Sequence, residues 1–490
     1  VSAGDVEAPL GRSTARGAAW YAVASLVGKL TTLAMQFVLG WMLVEQDFAV
    51  YGAALGATVL TEAIQDGGVH KFLRANQRRF VAVIGSATLL AVGGSLVGGL
   101  VMVALALASP WIYEEGPMRL PLLAMGAYCL LQGPIAVLRA RLDVDLRFGP
   151  MAVVDTSLVV GRAALAVGLA WAGFGAMSLI APLALGAVVE VVAFASVGGL
   201  RQWSMRGARI ADALALLRST TPIMVAQVGS LLARRGDYLV LSLVAPWILG
   251  LYYFGFQFSA STMQLVTGAA ASVLPSVIGR IAADPARVAA TFARVQRFAA
   301  WTILPSGVAL ALVTPALIHL LWGGRWDGSI PIAQAIAYAF AIRGVAIASD
   351  MTLEGLGRWR LLLGLSFVEG ASLVAAVLAA EILRPEDLSV LALLVGVQQT
   401  AIGIVRLEVA ARAVGAGAWR VLGWTLLVGA GTAAAWAIAR GATPLLGVPS
   451  GGLAAAAAEV VIFAVAWAAI LGVPARRELR EFAALATSRR

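Results

Sequence analysis

Stretches of about twenty residues with almost no charge recur from one end of the chain to the other, and this recurrence restricts the fold more than any single motif. A helix of about 20 residues crosses the ~30 Å hydrocarbon core of a bilayer. The run LLAVGGSLVGGLVMVALALA at 89–108 is one example, and it lacks the alternation of a transmembrane β-barrel strand. Of the 490 residues, 60% are hydrophobic and 13% charged. The mean hydropathy of +0.88 lies far outside the range of an ordinary soluble domain. The breaks between runs are too short to hold a sizeable soluble domain, so the sequence predicts an all-α integral membrane protein.

Segmentation gives 14 transmembrane helices, over 17–43, 48–66, 80–108, 121–138, 150–171, 176–199, 220–245, 247–275, 298–321, 331–353, 361–382, 388–411, 421–439 and 453–474. The basic residues test that count, because cytoplasmic loops carry the excess of Lys and Arg. With both termini inside, 26 of the 36 Lys and Arg, Arg139 among them, fall on the cytoplasmic side. Four (Arg119, Arg325, Arg384, Arg440) fall outside, and six (Lys29, Arg162, Arg234, Arg235, Arg343, Arg406) fall within spans. The split supports an N-in, C-in topology. Glu114 and Glu115 then lie outside, and Trp111, Tyr113, Trp322 and Trp326 suit an outer aromatic belt.

The formal charge of +10 is thereby explained by topology and by attraction to membrane lipids, so no nucleic-acid partner is implied. The single cysteine, Cys129, excludes an intramolecular disulfide. The two histidines, His70 and His319, read as solvated or interfacial, and no metal or cofactor is expected. The DVD stretch at 143–145 is juxtamembrane charge rather than a calcium loop. No GxxxxGK[ST] pattern occurs, which argues against ATP hydrolysis by the chain itself. The N-terminus carries Asp5 and Glu7, and its first apolar run is too long for a secretory signal peptide.

The polar stretch 200–219 divides the chain, and its amphipathic pattern predicts a basic cytoplasmic linker lying on the inner surface. It separates an N-lobe (1–199, helices 1–6) from a C-lobe (220–411, helices 7–12), leaving 412–490 as helices 13 and 14 with a basic cytoplasmic tail. Each lobe begins with a helix carrying cations at mid-depth, Lys29 in one and Arg234 with Arg235 in the other. The next span follows a similar pattern in both, FAVYGAAL at 48–55 and LGLYYFGF at 249–256, as in parallel repeats. The loop 279–297 is also expected to lie along the inner face. Pro134, Pro182, Pro305 and Pro315 fall within spans and mark sites of bending.

The chain resembles the polysaccharide-specific transporters of the MOP superfamily, the Wzx-type oligosaccharide flippases. The resemblance is carried by RGAAWYAVASLVGKL (16–30), LVEQDFAVYGAAL (43–55), LTEAIQDGGVHKFL (60–73), RRGDYLVLSLVAPWILGLYYFGFQF (234–258), ASVLPSVIGRI (271–281) and LLWGGRWDGSIPIAQAIA (320–337). It implies two six-helix lobes around a central cavity with alternating access, plus two extra C-terminal helices. It also implies a cargo of oligosaccharide units linked through pyrophosphate to undecaprenol, moved across the bacterial cytoplasmic (inner) membrane for surface polysaccharide assembly. The expected partners are the lipid-linked substrate, membrane lipids and a polysaccharide polymerase or other assembly protein. The chain is expected to work as a monomer.

A cation in the middle of a spanning helix costs about 2.5 to 3.5 kcal/mol on insertion scales, so it normally faces a partner or a hydrated path. Arginine also suits a pyrophosphate, since its planar fork donates bidentately and stays charged when desolvated. Arg235, Arg234 and Lys29 are therefore the first candidates for the cargo's anion, followed by Arg162 and Arg343. Structural pairing competes with this role: Arg234 and Asp237 are three residues apart on one helix face. Asp237, Asp155, Glu190 and Glu369 are candidate coupling sites for protons or sodium, or partners of buried arginines.

A cation-coupled multidrug exporter or a peptidoglycan-precursor exporter on the same fold is the alternative. Arginines in helix 7 fit an anionic cargo better than a cationic drug. An enzyme reading, a membrane polysaccharide polymerase or ligase, is weaker, because the outer connections at 109–120 and 440–452 are short.

Overall fold

Helices follow directly from the apolar runs, because in lipid a backbone can satisfy its own polar groups only as a helix or in a closed barrel. The computed structural model describes residues 24–487 apart from 25, 66, 76–79, 114–117, 146, 199–207 and 447–451. The start of the predicted first span (17–23), Glu114 and Glu115, the first part of the linker (200–207), and residues 488–490 lie outside the described residues. Among the described residues the chain is all-helical, without strands. The helices are α1 (Leu26–Met42), α2 (Glu45–Gln65), α3 (Val69–Ala75), α4 (Phe80–Ile112), α5 (Arg119–Val144), α6 (Phe148–Trp171), α7 (Met177–Gly198), α8 (Ile210–Val244) and α9 (Pro246–Ile281). They continue with α10 (Pro285–Trp322), α11 (Ile330–Gly355), α12 (Trp359–Leu383), α13 (Leu388–Val414), α14 (Ala418–Ala442) and α15 (Leu453–Thr487).

Eleven helices among the described residues are long and apolar enough to cross a membrane. The shorter α1 and the long α8 and α9 add three further helices at predicted spans 1, 7 and 8.

Two expected surface segments turn out to be parts of longer helices. The end of the 200–219 linker, from Ile210 onward, forms the first turns of α8 and runs without a break through Pro222. The basic stretch 285–297 is the start of the 38-residue α10. Asp284 caps α10, accepting the backbone N–H of Arg287 at 3.1 Å, and Pro285 follows at its first turn. After that start signal neither Pro305 nor Pro315 ends the helix.

The chain forms two compact units, Val1–Tyr253 with Ser366–Val374, and Phe254–Leu365 with Ala375–Arg490. The first unit takes in α8, which packs on α2.

In the first unit α2 packs on α4, α5 and α8, α4 on α5, and α7 on α5 and α6. One apolar cluster joins Leu73 of α3, Ala87 of α4, Ala140 of α5 and Leu216 of α8. Lipid tails are as apolar as leucine, so such helices associate through close packing and small residues rather than through hydrophobic burial. Gly56 shows how close α2 and α8 come: a Cβ there would lie 2.6 Å from the backbone nitrogen of Leu239.

In the second unit α11 packs on α10 and α13. α14 and α15 are joined to α10 by Leu312, Ala435, Ala439 and Phe463. Trp326 stacks on Phe254 at 3.9 Å and is fully buried, and Trp322 meets the same ring edge-on at 4.9 Å. These two tryptophans are internal packing rather than part of an outer aromatic belt. Trp111 is 85% exposed, as a lipid-facing ring would be.

Candidate functional site

The α2–α8 interface holds the arginine pair. Helical spacing puts Tyr51, Leu55, Thr58 and Glu62 on one face of α2, and α8 sets Leu231, Arg235, Tyr238 and Ser242 on one of its own. Arg235 Nη1 donates to Glu62 Oε2 at 2.7 Å and to Thr58 Oγ1 at 3.0 Å. The Thr58 hydroxyl in turn donates to the carbonyl of Leu55 at 2.6 Å. The other carboxylate oxygen of Glu62 lies 3.8 Å from Arg234 Nη2. Two guanidinium groups thus share one carboxylate and keep a net positive charge. Arg234 is the open member, its side chain 57% exposed against 32% for Arg235.

The pairing of Arg234 with Asp237 that the spacing allows is not formed. Asp237 is buried and accepts the Tyr252 hydroxyl at 2.7 Å and the backbone N–H of Tyr238 at 2.9 Å. The short turn between α8 and α9 folds Tyr252 back onto it. Tyr238 meets Tyr252 edge-on and tilts against Tyr253, while Tyr51 and Phe48 of α2 pack on Tyr253. The arginine pair is therefore flanked by a wall of aromatic rings.

A second network joins α5, α6 and α7. Arg139 binds Asp155 at 2.5 Å and reaches Glu190 at 3.5 Å, and Arg162 Nη2 donates to the other oxygen of Glu190 at 2.8 Å. The Arg139 guanidinium also lies over the ring of Phe194. Two arginines and two carboxylates balance, so Asp155 and Glu190 act here as partners of arginines. Arg162 lies directly against Gly186 of α7, where any side chain would collide with its Nε. That Nε is buried without a hydrogen-bond partner. Tyr51 and Tyr128 lie within Coulombic range of both Arg162 and Arg235, so the two networks adjoin.

The other candidates lie elsewhere. Lys29 is half-buried on α1, where its neighbour Gly28 faces Val159 of α6. Glu369 is buried on α12, where the adjacent Gly370 packs on Leu232 and Ala233 of α8. Arg343 belongs to the second unit, where it lies 3.3 Å from Asp350. Asp350 also binds the buried Arg406 at 2.6 Å.

Three of these partners were not singled out as site residues by sequence. Arg139 was assigned to a cytoplasmic loop, but α5 runs on to Val144 and keeps it within the helix. Asp350 lies inside the tenth predicted span and can be found by listing span carboxylates against span arginines. Glu62 is visible as a carboxylate within the second predicted span, but only its place on the Tyr51–Thr58 face of α2 points it at a partner. The histidines are also paired: His70 with Asp143 at 2.9 Å and His319 with Asp327 at 2.8 Å. Among the described residues no cluster of three or more His, Cys, Asp or Glu could hold a metal ion.

Comparison with known proteins bears on what this site serves. The sequence profile of the family described as "Polysaccharide biosynthesis protein" matches residues 38–331. No curated protein sequence matches. Among solved structures, the lipid II flippase MurJ in an inward closed conformation superposes with a TM-score of 0.70 at 12% identity, over 94% of this chain and 99% of that one. An inward-facing multidrug resistance MATE family transporter of the MOP superfamily gives 0.61 at 14% identity, over 79% and 95%. A MOP superfamily transporter from Pyrococcus furiosus, described as having a binding pocket of reverse polarity that suggests a different function, gives 0.52 at 13% identity, over 82% and 96%. At such identities the likeness establishes the fold alone, one that the chain shares with these membrane proteins.

Proposed function

Because the chain belongs to the polysaccharide biosynthesis protein family, we propose that it is a flippase that moves undecaprenyl-pyrophosphate-linked oligosaccharides across the cytoplasmic membrane by alternating access. The observation that carries this reading is Arg234. It lies ten residues before the end of α8, about 15 Å along the helix axis and half the depth of the hydrocarbon core, yet its side chain is 57% exposed. A half-exposed cation at that depth belongs beside a hydrated path. The shared Glu62 leaves the pair one positive charge in excess, which favours an anion. A lipid-linked sugar brings a pyrophosphate for the arginines, a glycan for polar and aromatic contacts, and a polyprenyl tail that can remain in lipid.

The fourteen-span, N-in and C-in arrangement, with two six-helix repeats and a pair of extra helices, belongs to this reading. Transport, not bond-making, is its activity, and a polymerase that extends the glycan is the partner class it would feed. The MATE neighbours keep a drug exporter as the second reading, with the buried Asp237 as its best-placed carboxylate. Asp237 is closed in by Tyr252 and Tyr238, whereas Arg234 is open, and this contrast favours anionic cargo.

The test is transport of an undecaprenyl-pyrophosphate-linked oligosaccharide in proteoliposomes. Arg234→Gln and Arg235→Gln should each lower the rate by at least about tenfold, the loss of one charge-assisted phosphate contact, with protein abundance unchanged. Wild-type rates in both variants would sink the assignment.

A further inference from the structure

We infer that the Glu62 carboxylate is a built-in competitor for the cargo's pyrophosphate, occupying the arginine pair when cargo is absent and leaving it when cargo binds. This rests on the proposed reading of Arg234 and Arg235 as the anion site, and it adds a residue that sets the site's affinity. The geometry is that of an anion already seated. One Glu62 oxygen takes Arg235 at 2.7 Å while the other faces Arg234 at 3.8 Å, so the carboxylate spans both guanidinium groups as two oxygens of a phosphate would.

The charges make the two occupants mutually exclusive. Arg234 and Arg235 supply two positive charges, which a pyrophosphate diester with about two negative charges neutralises alone. With Glu62 still in place the site would carry one excess negative charge in a medium that screens it poorly. Glu62 is also the acid best able to leave. Its side chain is 34% exposed, whereas Glu190 is 10% exposed and held by Arg139 and Arg162. Asp237 is buried under Tyr252. When Glu62 withdraws, Arg235 keeps its bond to Thr58 and stays oriented on α2. Cargo binding would thus replace an ion pair between α2 and α8 by contacts from both arginines to the ligand, loosening one helix from the other as the site fills.

Binding of farnesyl diphosphate to the full-length protein in detergent, read by native mass spectrometry at fixed ionic strength, tests this. Glu62→Gln keeps the side chain's shape and removes the competing charge, so it should bind the probe about tenfold more tightly than the wild type. If that variant does not fold, Glu62→Asp serves in its place. Its carboxylate stays charged but is one methylene shorter and cannot span both arginines, so binding should tighten by about threefold.

Equal or weaker binding by the folded variant overturns the inference. Arg234→Gln and Arg235→Gln in the same assay separate this failure from failure of the underlying reading. If they lose binding while the Glu62 variant gains none, the anion site stands and Glu62 is merely structural. If they bind as the wild type does, both the anion site and the competitor are overturned.

Discussion

Neighbouring side chains on α8 have contrasting surroundings, set by helix rotation and by what packs over each of them. Successive helical residues are rotated by about 100°, which turns Arg235 onto α2 while Arg234 stays open; Asp237 shares the Arg234 face, one turn further along, and is buried where Tyr252 of α9 folds over it. Sequence spacing could say that Arg234 and Asp237 share a face, but it could not say that a tyrosine fifteen residues along returns to claim the acid. Tyr252 is the side chain on which Asp237 depends, its hydroxyl donating to the carboxylate beside the backbone N–H of Tyr238. Tyr252→Phe should therefore destabilise the protein by about 1–2 kcal/mol, the worth of a hydrogen bond lost from a buried polar group. Thermal unfolding in detergent measures it. An unchanged melting temperature would mean that the hydroxyl contributes nothing to holding Asp237.

Between helices, the arginine networks work only as well as the backbones around them pack. α2 and α8 approach so closely at Gly56 that a side chain there must push the Leu239 backbone away. Thr58 and Glu62 lie within two turns of it, so separating the helices also withdraws the acceptors of Arg235. Gly56→Val should accordingly abolish transport and lower abundance, while Gly93→Val on α4, where a Cβ meets nothing within 4 Å, should do neither. On the α5–α6–α7 side the coupling is electrostatic. Arg139→Gln takes the arginine away from Asp155, and breaking such a pair at one end costs more than the pair was worth. The loss of stability should be partly recovered in Arg139→Gln/Asp155→Asn, and a double-mutant cycle on melting temperature reads that recovery. Strict additivity would show that the two side chains do not interact. The sequence concealed this network because its key arginine falls one residue past the point where hydropathy ends a span, and hydropathy does not see a helix that continues beyond the apolar stretch.

Over the whole chain, hydropathy made a helical membrane protein legible, and the resemblance of particular stretches pointed to a fold shared with MOP-type transporters. Packing was less legible. A spanning helix that continues past its apolar stretch, as α8 and α10 do, looks in sequence like a span plus a surface segment. The fact that α8 packs with the N-terminal helices depends on glycine contacts with no periodic signature. Orientation rests on the basic residues, and it can be tested where the loops are exposed. Ala283, in the turn between α9 and α10, belongs to a segment rich in arginine and should face the cytoplasm. Ala172, between α6 and α7, has no basic residue near it and should face the opposite side. Cys129 on α5 is fully buried against α2 and takes a hydrogen bond from Gln65, so Cys129→Ser gives a background with no reactive thiol at small structural cost. In that background a membrane-impermeant maleimide added to right-side-out vesicles should label Ala172→Cys and spare Ala283→Cys, and inverted vesicles should reverse the result. The opposite pattern would turn the topology over. Labelling of both positions from one side would require an even number of crossings between them, where the present reading has three: span 6 between Ala172 and the inner linker, and spans 7 and 8 between that linker and Ala283.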